Sequence, residues 1–139
     1  MFYSTKVIEL GSTCFRQPFA ESHCKYLHGY NLICKFIFEA DDLDKNNWVV
    51  DFGGFKVLKQ KLKSTFDHKT IISAKDPHLE EFQNLATKGI IDLVIMSDIS
   101  IEMFSKFCLD QANKLLPNNI RCVSAEVFEH DKNSAIYKD

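Results

Sequence analysis

The stretch NLICKFIFEA, residues 31 to 40, decides the fold class because its side chains alternate in character along the chain. Its apolar positions are Leu32, Cys34, Phe36 and Phe38. Successive side chains of a strand point to opposite sides, so this pattern predicts a strand with one face in the core. The polar residues Asp41–Asn47 then predict a turn, and Trp48–Val50 a second strand, which together would form a β-hairpin. An earlier strand at Lys6–Leu10 would flank it.

Three helices follow from apolar side chains at helical spacing. The first contains Phe55, Leu58, Leu62 and Phe66, with lysines between them. The second lies between Asp76, an N-cap candidate, and Gly89, and the third runs from Ile101 to Leu115. Two more strands are predicted, at Ile90–Met96 and at Ile120–Glu129. Because strands and helices are largely segregated along the chain, the sequence predicts an α+β domain with an antiparallel sheet.

Length and composition limit the function classes. The chain has 139 residues, 45% of them hydrophobic, which suits one domain spanning residues 1–139. A net charge of only −2 favours neither a nucleic acid nor a membrane as partner, and residues 1–20 lack the features of a signal peptide. We therefore expect a cytoplasmic protein that binds a small molecule. Five cysteines without C-x-x-C spacing predict no disulfide framework.

Three spots carry residues suited to chemistry. Cys24 lies within five positions of His23 and His28, and a thiol with imidazoles can bind metal or transfer protons; the alternative is a loop with surface histidines. Asp67 adjoins His68 after the first helix, where an acid can orient an imidazole, or where the pair simply forms a turn. Glu129 follows Val123, Ala125 and Val127 at alternate positions, which predicts a carboxylate on the inward face, unless the strand has already ended.

Five segments in order resemble the 6-pyruvoyl/6-carboxytetrahydropterin synthases. They are CKYLHGYN (residues 24–31), WVVDFGGFK (48–56), FDHKTI (66–71), SIEMFSKF (100–107) and VFEHDKNSAIY (127–137). The resemblance covers most of the chain. It implies the tunnelling fold (T-fold), in which helices pack on one face of an antiparallel sheet, and assembly of trimers or hexamers into a barrel, with sites between subunits.

The resemblance also implies roles for individual residues. Cys24 would be the catalytic base, assisted by Asp67 and His68, while Glu129 would hold a pterin ring through its N–H groups and Glu102 would lie nearby. His28 would bind zinc. The implied substrate is 7,8-dihydroneopterin triphosphate, which would lose triphosphate to give 6-carboxytetrahydropterin or 6-pyruvoyltetrahydropterin. The product's use, for example in queuosine synthesis, depends on other enzymes.

The expected zinc site is altered. The family holds zinc with three histidines, one in a Phe-x-Ala-x-His-like segment and two in His-Gly-His, whereas this chain has FRQPF (residues 15–19) and His28-Gly29-Tyr30. His23 is the candidate replacement, and Tyr30 a further one, although a phenol with a pKa near 10 is a poor ligand. Two hypotheses therefore stand beside each other: an active synthase, and a non-catalytic or zinc-free protein that binds pterins or purines on the same fold. A third is a purely structural assembly protein.

Overall fold

The computed structural model describes all 139 residues. Six strands form one sheet in the order β4-β3-β1-β2-β5-β6, accompanied by three helices. The strands are β1 (Phe2–Phe15), β2 (His28–Ala40), β3 (Lys69–Ser73), β4 (Leu93–Met96), β5 (Arg121–His130) and β6 (Asn133–Lys138). The helices are α1 (Lys56–Phe66), α2 (Leu79–Thr87) and α3 (Ile101–Leu115). None of these helices has the length and apolar character needed to cross a membrane.

The predicted strand at residues 31–40 is confirmed, but its hairpin partner is β1. β1 and β2 pair antiparallel from Phe2↔Ala40 to Phe15↔His28. The predicted partner strand at Trp48–Val50 is wrong, because β1 occupies one edge of β2 and β5 the other. Val49 and Val50 are nevertheless buried, since the loop that contains them turns back into the core.

The sheet is mixed, which corrects the expected antiparallel sheet. β3 pairs parallel with β1, and β4 pairs parallel with β3, so β3, α2 and β4 form a parallel β-α-β unit. The sequence analysis missed β3, which has only five residues and no polar alternation, and also missed β6. Two strands thus lie beyond the predicted set, one in the middle of the sheet and one at its edge.

The main core lies between the sheet and the pair α1 and α3. Leu62, Phe66 and Phe104 are fully buried there, and their rings and chains fill the space over β1 and β2. Ile72 of β3 is also fully buried but lies outside this core. Its neighbour Ile71 faces the main core, so Ile72 points to the other face of the sheet. The contacts of α2 are with β3 and β4, which explains this burial.

Asp76 does not cap α2 as predicted. The helix begins at Leu79, and Asp76 is a buried residue of the loop before it. One carboxylate oxygen of Asp76 lies 2.9 Å from Arg16 Nε, and the other accepts a hydrogen bond from the backbone N–H of His78. A buried carboxylate requires such partners, so the ion pair fixes the loop after β1 to the β-α-β unit.

Candidate active site

Three aromatic rings gather where β1 ends and β2 begins. His28 and Tyr30 are two residues apart on β2, and they share a face with Phe15, which pairs with His28 across the hairpin. Ring centroids are 5.3 Å apart for Phe15 and His28, and 5.5 Å apart for His28 and Tyr30. The Nδ1 atom of His28 lies 2.6 Å from the Tyr26 carbonyl oxygen. A carbonyl can only accept, so neutral His28 carries its proton on Nδ1 and leaves Nε2 as an acceptor or ligand.

Gly29, between these two side chains, is required by the close approach of β1. A Cβ atom at this position would lie 2.2 Å from the backbone oxygen of Thr13. Any larger residue would push the two strands apart and with them the rings of His28 and Tyr30. In the His28-Gly29 pair, Gly29 is therefore required by the packing of the strands, while His28 supplies the chemical group.

The charges of two acidic groups, Glu129 and Cys24, act on the Tyr30 phenol. Burial raises the pKa of Tyr30, and the negative charges of Glu129 and Cys24 raise it further. Tyr30 is therefore a neutral phenol near pH 7, able to donate a hydrogen bond. Cys24 occupies a single 3₁₀ turn, His23–Lys25, whose first N–H groups are capped by Ser22.

The position of Glu129 depends on irregular pairing of β5, which simple alternation does not describe. Val123 is the extra residue of a β-bulge in β5, since Ile37 pairs with Ser124 and Phe38 with Cys122. Ala125 and Val127 face the core beyond the bulge, and Glu129 is the extra residue of a second bulge, since Phe128 pairs with Ser134 and His130 with Asn133. The carboxylate is partly exposed and makes no hydrogen bond within the chain, so it is free to accept from a ligand.

His130 is a residue of this cluster that the sequence analysis missed. Its ring centroid lies 6.2 Å from that of Tyr30, and its Nδ1 accepts a hydrogen bond from the backbone N–H of Lys132. Neutral His130 therefore carries its proton on Nε2. The sequence signal for it was its position next to Glu129 at the end of β5, but neighbours on a strand normally point to opposite faces.

Asp67 and His68 do touch each other, as their adjacency suggested. His68 Nδ1 lies 3.0 Å from Asp67 Oδ1, and the same oxygen accepts a hydrogen bond from the backbone N–H of Ser12. Partial burial opposes ionisation of Asp67, but the hydrogen bonds from His68 and Ser12 outweigh it and lower the pKa of the carboxyl. The imidazole itself is 84% exposed. The pair is thus an oriented acid and imidazole whose ring points away from its own chain.

Backbone geometry around this pair is unusual. His68 has φ +60°, a left-handed conformation that is uncommon for residues other than glycine. Its N–H donates to the carbonyl oxygen of Ser12 over 2.7 Å, which fixes the turn. Gly11 has φ +107°, and a Cβ there would lie 2.2 Å from Asp67 Oδ1. Gly11 therefore makes room for the Asp67 carboxylate.

The two groups of residues lie on opposite sides of β1. Asp67 and His68 precede β3, whereas Tyr30 belongs to β2 and Glu129 to β5. Adjacent strands are about 4.8 Å apart, so roughly 10 Å of sheet separates the backbone of the pair from that of β2. No hydrogen bond or ion pair of the chain joins Asp67 or His68 to Cys24. Within one copy the predicted catalytic residues form two half-sites.

The donor set does not fit a three-histidine zinc site. No three His, Cys, Asp or Glu side chains of the chain form a group that could hold a metal ion. His28 offers Nε2, but the histidine position of the first segment is Phe19 and position 30 is a phenol whose raised pKa disfavours the phenolate ligand. His23 is exposed on the 3₁₀ turn. Glu102 is exposed in the first turn of α3 and has no partner in the chain.

The remaining cysteines are structural. Cys34, Cys108 and Cys122 are fully buried in the core, and burial raises the pKa of Cys34 well above its usual range and that of Cys122 to about 12. Such thiols stay protonated and inert. Cys24 is the partly exposed thiol among the aromatic and acidic side chains described above.

The fold has close counterparts among solved structures. An uncharacterized protein of Wolinella succinogenes matches with a TM-score of 0.88 at 17% identity, over 99% of this chain and 98% of that one. The 6-pyruvoyl tetrahydropterin synthase of Caenorhabditis elegans matches with a TM-score of 0.69 at 15% identity, over 99% of this chain and 95% of that one. These likenesses define a T-fold protein.

Sequence comparison narrows the class to a family. The family model described as 6-pyruvoyl tetrahydropterin synthase matches residues 11–139, and the chain belongs to this family. A curated relative, the 6-carboxy-5,6,7,8-tetrahydropterin synthase of Rickettsia typhi, is 27% identical over 100 residues, which are 66% of this chain and 72% of that protein. The corresponding protein of Rickettsia felis is 32% identical over 72 residues, about half of each chain.

Proposed function

We propose that the protein is a tetrahydropterin synthase that converts 7,8-dihydroneopterin triphosphate with loss of triphosphate. The observation that carries the proposal is the contact between the rings of His28 and Tyr30 at the start of β2, where the pKa of the phenol is raised by burial and by the charges of Glu129 and Cys24. Glu129 has two oxygens without a hydrogen bond in the chain, which suit the paired N–H groups of a pterin, and Cys24 supplies a thiol that can take a proton from carbon in its thiolate form.

Two copies of the chain would complete this site. β1 pairs with β3 only at Thr13–Phe15, so its residues before Thr13 have an open edge, and β6 has an open edge at the other end of the sheet. If β6 of one copy pairs antiparallel with that edge of β1 in the next, strand direction continues to alternate. The end of β6 near His130 then lies at the same end of the sheet as Gly11 and Asp67 of the neighbour.

This arrangement gives each residue a role in proton transfer. Asp67 holds His68 in a fixed orientation, and the exposed imidazole reaches across the junction toward Cys24 of the adjacent copy. The imidazole accepts the thiol proton, and the thiolate then acts as the base. Tyr30 stays protonated and donates a hydrogen bond to the substrate side chain. The chain lacks two of the three histidines that would hold zinc, and Cys24 and His68 carry the proton transfer.

The test is turnover of 7,8-dihydroneopterin triphosphate, followed by chromatography of the pterin products and by release of tripolyphosphate. Cys24→Ala should abolish turnover while pterin binding stays within about twofold, because the thiol is not a ring contact. Cys14→Ala is the matched control, since it removes another half-buried thiol, whose side chain points to the opposite face of β1 from Phe15. Undiminished turnover in Cys24→Ala would remove Cys24 from the mechanism.

A second candidate function is pterin or purine binding without catalysis. Replacement of two zinc-binding histidines, by Phe19 and by the neutral phenol of Tyr30, favours it. Both functions require Glu129, so Glu129→Gln should weaken pterin binding because one acceptor oxygen becomes a donor amide. Binding that depends on Glu129 without any turnover by the wild-type protein would establish this second function in place of the first.

A further inference from the structure

The end of β5 contains two consecutive residues, Glu129 and His130, that both act on the Tyr30 phenol. In a regular strand their side chains would point to opposite faces of the sheet. The bulge at Glu129 breaks this alternation. The His130 ring therefore lies beside Tyr30, at a centroid distance of 6.2 Å, while the charge of Glu129 also acts on Tyr30. His130 thus joins the face of the sheet that carries His28.

The backbone fixes the two imidazoles beside Tyr30 in opposite tautomers. His28 Nδ1 lies 2.6 Å from the Tyr26 carbonyl oxygen and carries the proton, which leaves a lone pair on Nε2. His130 Nδ1 accepts a hydrogen bond from the Lys132 backbone N–H over 3.1 Å, which places the proton on Nε2. One ring therefore presents an acceptor and the other a donor, and the Tyr30 ring contacts both.

These polar atoms are available to a ligand. No hydrogen bond of the chain uses His28 Nε2 or the Tyr30 hydroxyl. His130 Nε2 lies 3.4 Å from the side-chain nitrogen of Asn133, a long contact to an exposed residue that a ligand oxygen can replace. The His130 side chain is 43% exposed, so a ligand can reach it. An acceptor, a hydroxyl and a donor therefore lie along one surface without strong partners in the chain.

We infer that His130 is a hydrogen-bond donor to the substrate side chain and acts with Tyr30 and His28 on two adjacent oxygens. One substrate hydroxyl donates to His28 Nε2, while the neighbouring oxygen accepts from the Tyr30 hydroxyl and from His130 Nε2–H. This inference rests on the proposed function, whose substrate carries adjacent hydroxyl groups. Since the chain lacks the three-histidine set, neutral donors rather than a metal ion orient the side chain and polarise its C–O bonds.

Two ligands with the same ring separate side-chain contacts from ring contacts. 7,8-Dihydroneopterin carries the hydroxylated side chain and 7,8-dihydropterin lacks it, and the affinity of each is measured by anaerobic calorimetry with a chelator present. The wild-type protein should bind dihydroneopterin at least about tenfold more tightly. His130→Phe keeps a ring against Tyr30 but removes the donor, so this preference should fall about three- to tenfold, and Tyr30→Phe should have a similar effect. Dihydropterin affinity should stay within about twofold in both variants.

Three further variants control this measurement. His130→Gln keeps an N–H donor and should retain the preference within about twofold. His78→Phe removes an exposed histidine at the start of α2, where it pairs with Glu81, and should change neither affinity. Glu129→Gln should weaken both ligands by the same factor, because it acts on the shared ring. Urea unfolding at one protein concentration verifies that each variant folds.

Three results would overturn the inference: equal affinity of the wild-type protein for the two ligands, a preference that His130→Phe leaves intact, and a preference that appears only when zinc replaces the chelator. If turnover is observed alongside any of them, the synthase function stays in place. No binding of either ligand would overturn the inference and the proposed function together. A preference that depends on His130 in a protein without turnover would support the side-chain contact and remove the synthase function.

Discussion

Gly11→Ala tests the geometry that holds Asp67, because two separate costs meet at this position. The backbone has φ +107°, where an L-residue is strained by about 1–3 kcal/mol. The new Cβ would also lie 2.2 Å from Asp67 Oδ1, so the carboxylate has to move, and overpacking of this kind costs about 1–3 kcal/mol. We therefore expect the free energy of unfolding to fall by about 2–6 kcal/mol.

Gly89→Ala separates the two costs. Gly89 also has a positive φ, +74°, but its Cβ would meet nothing within 4 Å, so only the backbone cost of about 1–2 kcal/mol applies. In the double variant Gly11→Ala/Asp67→Gly the three clashing atoms of Asp67, Oδ1, Cγ and Cβ, are all removed, and the added loss relative to Asp67→Gly should shrink to the strain alone.

Urea unfolding provides the measurement, at one protein concentration for all variants because assembly affects apparent stability. Turnover should fall in Gly11→Ala, since Asp67 no longer orients His68. Equal stability losses for Gly11→Ala and Gly89→Ala, or no coupling between positions 11 and 67, would refute the assigned contact.

Three further predictions concern the core, the acid pair and the metal. Leu62→Ala should lower the free energy of unfolding by about 2–5 kcal/mol in urea unfolding, because Leu62 is fully buried between α1 and the sheet. The wild-type advantage in stability over Asp67→Asn should be present above pH 3.8 and disappear as pH falls through the lowered pKa of Asp67, measured by unfolding across that range. Elemental analysis of protein purified without chelator should find less than one zinc per chain, and His28→Ala should remove what is bound; stoichiometric zinc would mean that assembly supplies the missing ligands.

Much of the fold could be predicted from the sequence, because long periodic segments carry strong signals. The alternation at residues 31–40 and the spacings in α1 and α3 gave those elements almost to the residue. β3 was missed because Thr70, Ile71 and Ile72 are buried on both faces and show no alternation. Val49 and Val50 led to a false strand prediction, because consecutive buried apolar residues of a loop resemble a strand in the sequence.

The individual residues of the candidate site could be predicted from the sequence, but their separation into two groups could not. The contact between Asp67 and His68 follows from local geometry. That β1 lies between this pair and Tyr30 follows only from the parallel pairing of β3 with β1. The requirement for Gly11 and the contact of His130 with Tyr30 depend on two bulges, one in β1 between Glu9 and Gly11 and one in β5 between Phe128 and His130, which single-sequence patterns do not encode.

Division into half-sites makes the proposed activity a property of the assembly. Asp67 and His68 are hydrogen-bonded to Ser12 of β1, whereas Cys24 lies in the loop after β1 and is bonded to neither, so a single copy has no acid–imidazole pair bonded to its own thiol. Turnover per chain should therefore fall when dilution separates the copies, whereas pterin binding through Glu129 should fall less. A mixture of Cys24→Ala and His68→Ala chains should recover part of the activity that each variant lacks alone, because a junction between the two can contain an intact Cys24 from one copy and an intact His68 from the other. No recovery in mixtures shown to share subunits would place the whole reaction within one copy and remove the junction from the mechanism.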